Sequence, residues 1–156
     1  MWIVYAFLSA ITAALVAIFA KLGLRDIDPT LATTLRSIIM ALFLLIVATA
    51  LGKFHDFSFN NLNGKEWLLL TLAGIAGALS WLFYFFALKY GSASAVVAID
   101  RMSIVFVLIF AAIFLMEAIT LQTFIGALLM VTGALLITLK IDEITQLWAN
   151  LLRLIK

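Results

Sequence analysis

The chain has 156 residues, of which 67% are hydrophobic and only 12% charged, and a mean hydropathy of +1.26, far outside the range of water-soluble domains. The formal net charge is +2, with basic residues gathered at the ends of apolar runs; no basic stripe is present to bind phosphates, and a nucleic-acid partner is excluded. Cysteine is absent, which removes thiol redox chemistry and a thiolate metal site.

Five apolar runs, each near the ~20 residues that a helix needs to cross a bilayer, predict spans at 2–24, 29–51, 66–89, 93–116 and 121–139. The fold class is therefore an all-α integral membrane protein with five transmembrane helices and a C-terminal amphipathic helix. The first run lacks the basic flank of a signal peptide and continues past Leu15 to Leu24, so it is kept as a span. After Lys21 and Arg25, the segment Asp26-Ile27-Asp28-Pro29-Thr30 offers Asp28 as a helix N-cap and Pro29 as first helical residue, where its missing N–H costs nothing. The long break at 52–65 holds His55, Asp56, Asn60 and Asn61 among Phe54, Phe57 and Phe59, a composition suited to a loop on the membrane interface, with Trp67 at headgroup level. The third span ends at Lys89-Tyr90-Gly91 and forms a tight hairpin with the fourth, which Ser92 or Ser94 caps. Thr120 is the predicted cap of the fifth.

The segment 140–156 differs in kind. Ile141, Ile144, Leu147, Trp148, Leu151, Leu152 and Ile155 recur at three- and four-residue spacing, with Glu143, Gln146, Asn150 and Arg153 opposite. This is the pattern of an amphipathic helix, too polar to span, that lies on membrane lipid or packs on a partner. The domain division is thus 1–139 for the transmembrane domain and 140–156 for the interfacial tail. Inside the bilayer, small residues recur on one face of three spans: Ala10, Ala13, Ala14, Ala17 and Ala20; Ala73, Gly74, Gly77 and Ala78; and Thr123, Gly126, Ala127, Gly133 and Ala134. Such faces let backbones approach closely, within one bundle by first expectation and across a dimer seam by second.

Three charges interrupt the apolar runs: Arg36, Asp100 and Arg101. Placing a charge near mid-bilayer costs at least ~2.5–3.5 kcal/mol, so such residues face a partner or a wet cavity. At ~1.5 Å per residue, Arg36 lies about 10 Å beyond Pro29, and Asp100 about as far beyond Ala93. A structural Arg36–Asp100 pair and a charged cavity wall for an anionic or zwitterionic solute are two compatible readings. Arg101, about 100° further round, faces something else. Lys21 and Tyr84 fall in the same half of the membrane, and Ser80, Trp81 and Tyr84 offer an aromatic face with hydroxyls. The candidate cavity residues are therefore Arg36, Ser80, Trp81, Tyr84, Asp100 and Arg101. No catalytic residue, metal ligand set or cofactor motif emerges: His55 is a lone loop histidine, and no glycine-rich phosphate loop occurs.

Several short stretches together resemble a known family. These are Phe19-Ala20-Lys21-Leu22-Gly23, then Asp28-Pro29-Thr30 with Arg36, and the run Trp81 to Gly91 closing the third span. Glu117, Thr120 and Ile125-Gly126-Ala127 through Gly133 complete the series. In order and spacing they resemble the EamA domain of the drug/metabolite transporter superfamily over 2–139. Most such relatives carry two domains in tandem, whereas this chain has one and lacks the proline often seen in their fourth helix. The resemblance implies a small-solute permease or exporter of the cytoplasmic (inner) membrane, not an enzyme, with amino acids among its substrates. It also implies a dimer of five-helix halves, since tandem relatives pair two halves in inverted orientation.

Charge distribution places Lys21, Arg25, Lys89, Lys140, Arg153 and Lys156 on one side against Lys53 and Lys65, favouring N-outside, C-inside. Because much of this bias sits in the tail, an antiparallel homodimer is also open. The competing functional class is a non-transporting membrane assembly subunit, or half of a heteromeric transporter. No acid precedes Asp26 in the first span, unlike small proton-coupled exporters of cationic drugs.

Overall fold

The computed structural model describes residues 1–55 and 63–139. The expected tail helix at 140–156 lies outside the described residues, as do Asp56, Phe57, Phe59, Asn60 and Asn61 of the long break. Every regular element among the described residues is helical: α1 (Trp2–Gly23), α2 (Pro29–Ala50), α3 (Gly64–Tyr90), α4 (Ala93–Asp100), α5 (Ser103–Phe114) and α6 (Leu121–Thr138). Five stretches are long and apolar enough to cross a membrane, with α4 and α5 together making the fourth.

The helix starts follow local chemistry. Asp28 Oδ1 accepts the backbone N–H groups of Thr30 and Leu31 at 2.8 and 3.2 Å, with Pro29 opening α2. Ser92 Oγ accepts the Ala95 N–H at 3.4 Å, and Thr120 Oγ1 accepts that of Thr123 at 3.1 Å. One cap was not anticipated from sequence. Asn63 Oδ1 accepts the Glu66 N–H at 2.9 Å while the Asn63 N–H donates to Glu66 Oε2 at 3.0 Å, a reciprocal box whose Asn-x-x-Glu signature is in the sequence.

At the end of α2, Gly52 adopts φ +65°, so that its N–H reaches the Thr49 carbonyl and the Lys53 N–H that of Ala48. This left-handed turn closes off the last carbonyls of α2.

The chain divides into two compact units, Met1–Tyr90 and Gly91–Lys156. In the first, α3 packs against both α1 and α2. Ala17 and Leu24 of the α1 side, Pro29 of α2, and Phe85 and Leu88 of α3 are buried, and Leu24 and Leu88 are almost wholly enclosed. Thr33 of α2 is buried as well, and its hydroxyl is satisfied by donating to the Pro29 carbonyl at 2.7 Å. In the second unit α4 packs against α6, with Val96, Ala98 and Ala134 buried.

The fourth span, expected at 93–116, runs over Ala93–Phe114, but not as an unbroken α-helix: a turn at Arg101 and Met102 divides it, where the N–H groups of Met102, Ile104 and Val105 donate to carbonyls three residues back instead of four. The tighter turn interrupts the α-helical ladder without proline or glycine. Nor do the small-residue faces serve packing inside a unit at their glycines. A side chain added at Gly74, Gly77, Gly126 or Gly133 meets nothing within 4 Å among the described residues.

Candidate functional site

Two turns into α2, Arg36 shares a face with buried Thr33 and half-buried Ser37, the face that α3 covers. A stripe at helical spacing answers it on α3: Trp81, Tyr84, Phe85 and Leu88. The guanidinium carbon of Arg36 stands 3.7 Å from the centroid of the Trp81 ring and 5.9 Å from that of Phe85. At such distances the negative ring face attracts the cation, more strongly where water is absent. Edge-on aromatic contacts hold the Trp81 ring: Tyr84 at 5.4 Å and 81°, Phe85 at 6.2 Å and 74°.

Arg36 Nη1 is buried and has no hydrogen-bond partner among the described residues. An arginine donor in that position calls for an acceptor, since an unsatisfied buried charge is costly. Arg36 also lines a cavity of about 580 Å³ formed by the second half of α1, the first half of α2, Ile27 between them and Phe85 of α3. This volume lies inside the range of small-ligand sites. Phe19 and Ile39 line it while 66% and 67% exposed, so the cavity is a groove open on one side.

Below the groove two lysines cap the helix ends reciprocally. Lys21 of α1 donates through Nζ to the Leu88 carbonyl of α3 at 2.6 Å. Lys89 of α3 donates to the carbonyls of Leu24, Arg25 and Ile27 at 2.7, 3.0 and 3.2 Å. Each cation thus neutralises the negative end of the other's helix.

Of the predicted cavity residues, the first unit brings together Arg36, Trp81 and Tyr84. Ser80 is exposed, about 100° round α3 from Trp81. Asp100 and Arg101 belong to the second unit, both exposed, at the break between α4 and α5. Sequence reasoning missed Phe85, whose signal was its position four residues after Trp81, and missed the capping role of Lys89, which reads in sequence as a headgroup anchor. No group of three or more metal-ligating side chains gathers among the described residues.

A family profile for EamA-like transporters covers residues 1–139, the whole transmembrane domain. The chain belongs to the EamA-like transporter family. It is similar to a Sinorhizobium sp. protein described as an uncharacterized transporter in cobO 3'region. The two are 40% identical over 136 residues, 87% of this chain and 95% of that relative. No solved structure matches the chain at a significant level. Family membership and the five apolar helices make it a multi-pass membrane transporter, and the buried guanidinium of Arg36 belongs to a transporter fold.

Proposed function

We infer that this EamA-like chain carries a small anionic or zwitterionic metabolite, amino acids included, across the cytoplasmic membrane as a dimer of five-helix halves. The carrying observation is Arg36, which lines an apolar groove and whose Nη1 is buried without a hydrogen-bond partner among the described residues. A guanidinium with one face on an aromatic ring offers its edge to a carboxylate in a two-bond fork, which orients the solute as well as holding it. Trp81 and Tyr84 fix the arginine. The interrupted span places Asp100 and Arg101 where helix continuity fails, the local structure that membrane carriers use for polar cargo, and we assign them the passage of the solute in the second unit. Ser80 we assign to the mouth of the site, as a polar group on the outer surface of α3.

Dimerisation is supported by a groove left open along Phe19 and Ile39 and by Gly74 and Gly77, where an added side chain meets nothing within 4 Å among the described residues. The excess of Lys21, Arg25 and Lys89 over Lys53 and Lys65 supports an N-outside orientation, with the Arg36 groove in the cytoplasmic half.

Purified protein in liposomes should catalyse saturable counterflow of carboxylate-bearing solutes, and Arg36→Gln should abolish it. Absence of flux for every solute class, with the wild-type protein folded, leaves the non-transporting subunit in its place. Because the chain has no cysteine, a single Cys introduced at Gly74 reports the dimer by cross-linking in native membranes.

A further inference from the structure

A zwitterion in an apolar site needs two partners, a donor for its carboxylate and an acceptor for its ammonium, because neither charge is stable there alone. The groove beside Arg36 supplies the first and withholds the second. Apart from Arg36, its lining side chains are all apolar, with no carboxylate, amide or hydroxyl among them. The acceptors left are backbone carbonyls at the turn after α1. Those of Leu24 and Ile27, both groove residues, already receive Lys89 Nζ at 2.7 and 3.2 Å. The Arg25 carbonyl between them receives the same ammonium at 3.0 Å. A solute ammonium seeking these oxygens meets a like charge bound to them.

We propose that the groove selects apolar monocarboxylates over the α-amino acids with the same side chain. The carboxylate sits on the edge of the Arg36 guanidinium, and the hydrocarbon or aryl body lies along Val16, Phe19, Leu35 and Ile39. This rests on the transporter reading above and narrows its substrate class. Polyols are disfavoured by the same lining, which offers their hydroxyls no side-chain partner beyond Arg36. Cations are repelled by it.

The test is binding of hydrocinnamate, phenylalanine and phenethylamine to the full chain in phosphatidylcholine vesicles, followed by calorimetry, with isocaproate and leucine as a second pair. Each carboxylate is expected to bind at least about tenfold more tightly than its amino acid, and the amine not at all. Arg36→Gln should remove the binding. If that variant fails to fold, Arg36→Lys, which keeps the charge without the planar fork, should weaken it. Equal or tighter binding of the amino acid, competition by phenethylamine, binding of none of the probes, or unchanged binding in both variants overturns the proposal. Loss of carboxylate binding when phosphatidylglycerol is added assigns the groove to a lipid headgroup and overturns it too. Liposome counterflow separates the two layers of inference. Carboxylates that bind without crossing sink the transport reading alone, while flux of the amino acids at least equal to that of the carboxylates, with no preference in binding, sinks the selectivity alone.

Discussion

The guanidinium carbon of Arg36 stands 3.7 Å from the centroid of the Trp81 ring, and this contact joins α2 to α3. Removing the ring removes both the attraction and the support that aims the guanidinium. Trp81→Leu is expected to cost about 1–2 kcal/mol of stability, the size of a partly desolvated cation–π contact. Trp81→Phe keeps a π face and should retain at least half of that. Thermal unfolding in detergent, with and without a carboxylate solute, reads both effects; equal stability of the Leu and Phe variants would contradict the assignment.

A double-substitution cycle over Arg36 and Asp100 decides what answers the arginine. A buried ion pair predicts that each single Leu variant loses ~3–5 kcal/mol and that the double recovers much of it. With the guanidinium seated on Trp81 and its free edge offered to a solute, we expect the two losses to add. Asp100→Leu alone, at an exposed position, should be mild in stability and should act on flux.

The reciprocal lysines predict a stability effect without a change of solute preference. Lys89→Met keeps the aliphatic stem but leaves the carbonyls of Leu24, Arg25 and Ile27 without their charged donor. Loss of hydrogen bonding to a charged group costs about 1.5–3 kcal/mol, and some of it returns if water reaches the turn. Unfolding in mixed micelles measures the loss, and a variant as stable as wild type would show that the cap contributes nothing.

Two left-handed residues predict opposite outcomes. Gly52 at φ +65° has open space around it, so Gly52→Ala carries only the backbone penalty, about 1 kcal/mol. Met116 holds φ +56° just beyond α5, where helices more commonly place glycine. Met116→Gly should therefore stabilise the chain by about 1 kcal/mol, since Met116 is 86% exposed and loses little packing. If both substitutions move unfolding in the same direction, backbone strain is not the cause.

The spans and their caps were legible because each depends on residues adjacent in sequence: an apolar run of sufficient length, then Asp28-Pro29, Ser92 or Thr120. The break in the fourth span was not, because Asp100 and Arg101 barely lower the hydropathy of a 22-residue apolar stretch and no proline or glycine marks the place. Arg36, Trp81 and Tyr84 stood out as misfits in lipid, and depth alone brought them near one another. That Arg36 meets Trp81 depends on how α2 rotates against α3, which periodicity does not determine. Lys89 was hidden for a related reason. A lysine at a span end serves lipid phosphates or peptide carbonyls equally well until the facing helix end is known.

The reciprocal caps also impose an order on synthesis. The carbonyls of Leu24, Arg25 and Ile27 await a side chain that lies 65 residues beyond Leu24. At ordinary elongation rates that interval lasts roughly 3–13 s. Until then the hairpin of α1 and α2 reaches the membrane with one corner unfinished, its turn dependent on water, headgroups or the insertion machinery. The arrival of Lys89 completes that corner and, through Lys21, the end of α3 in the same event. The turn between the first two helices thus takes its capping charge from the third.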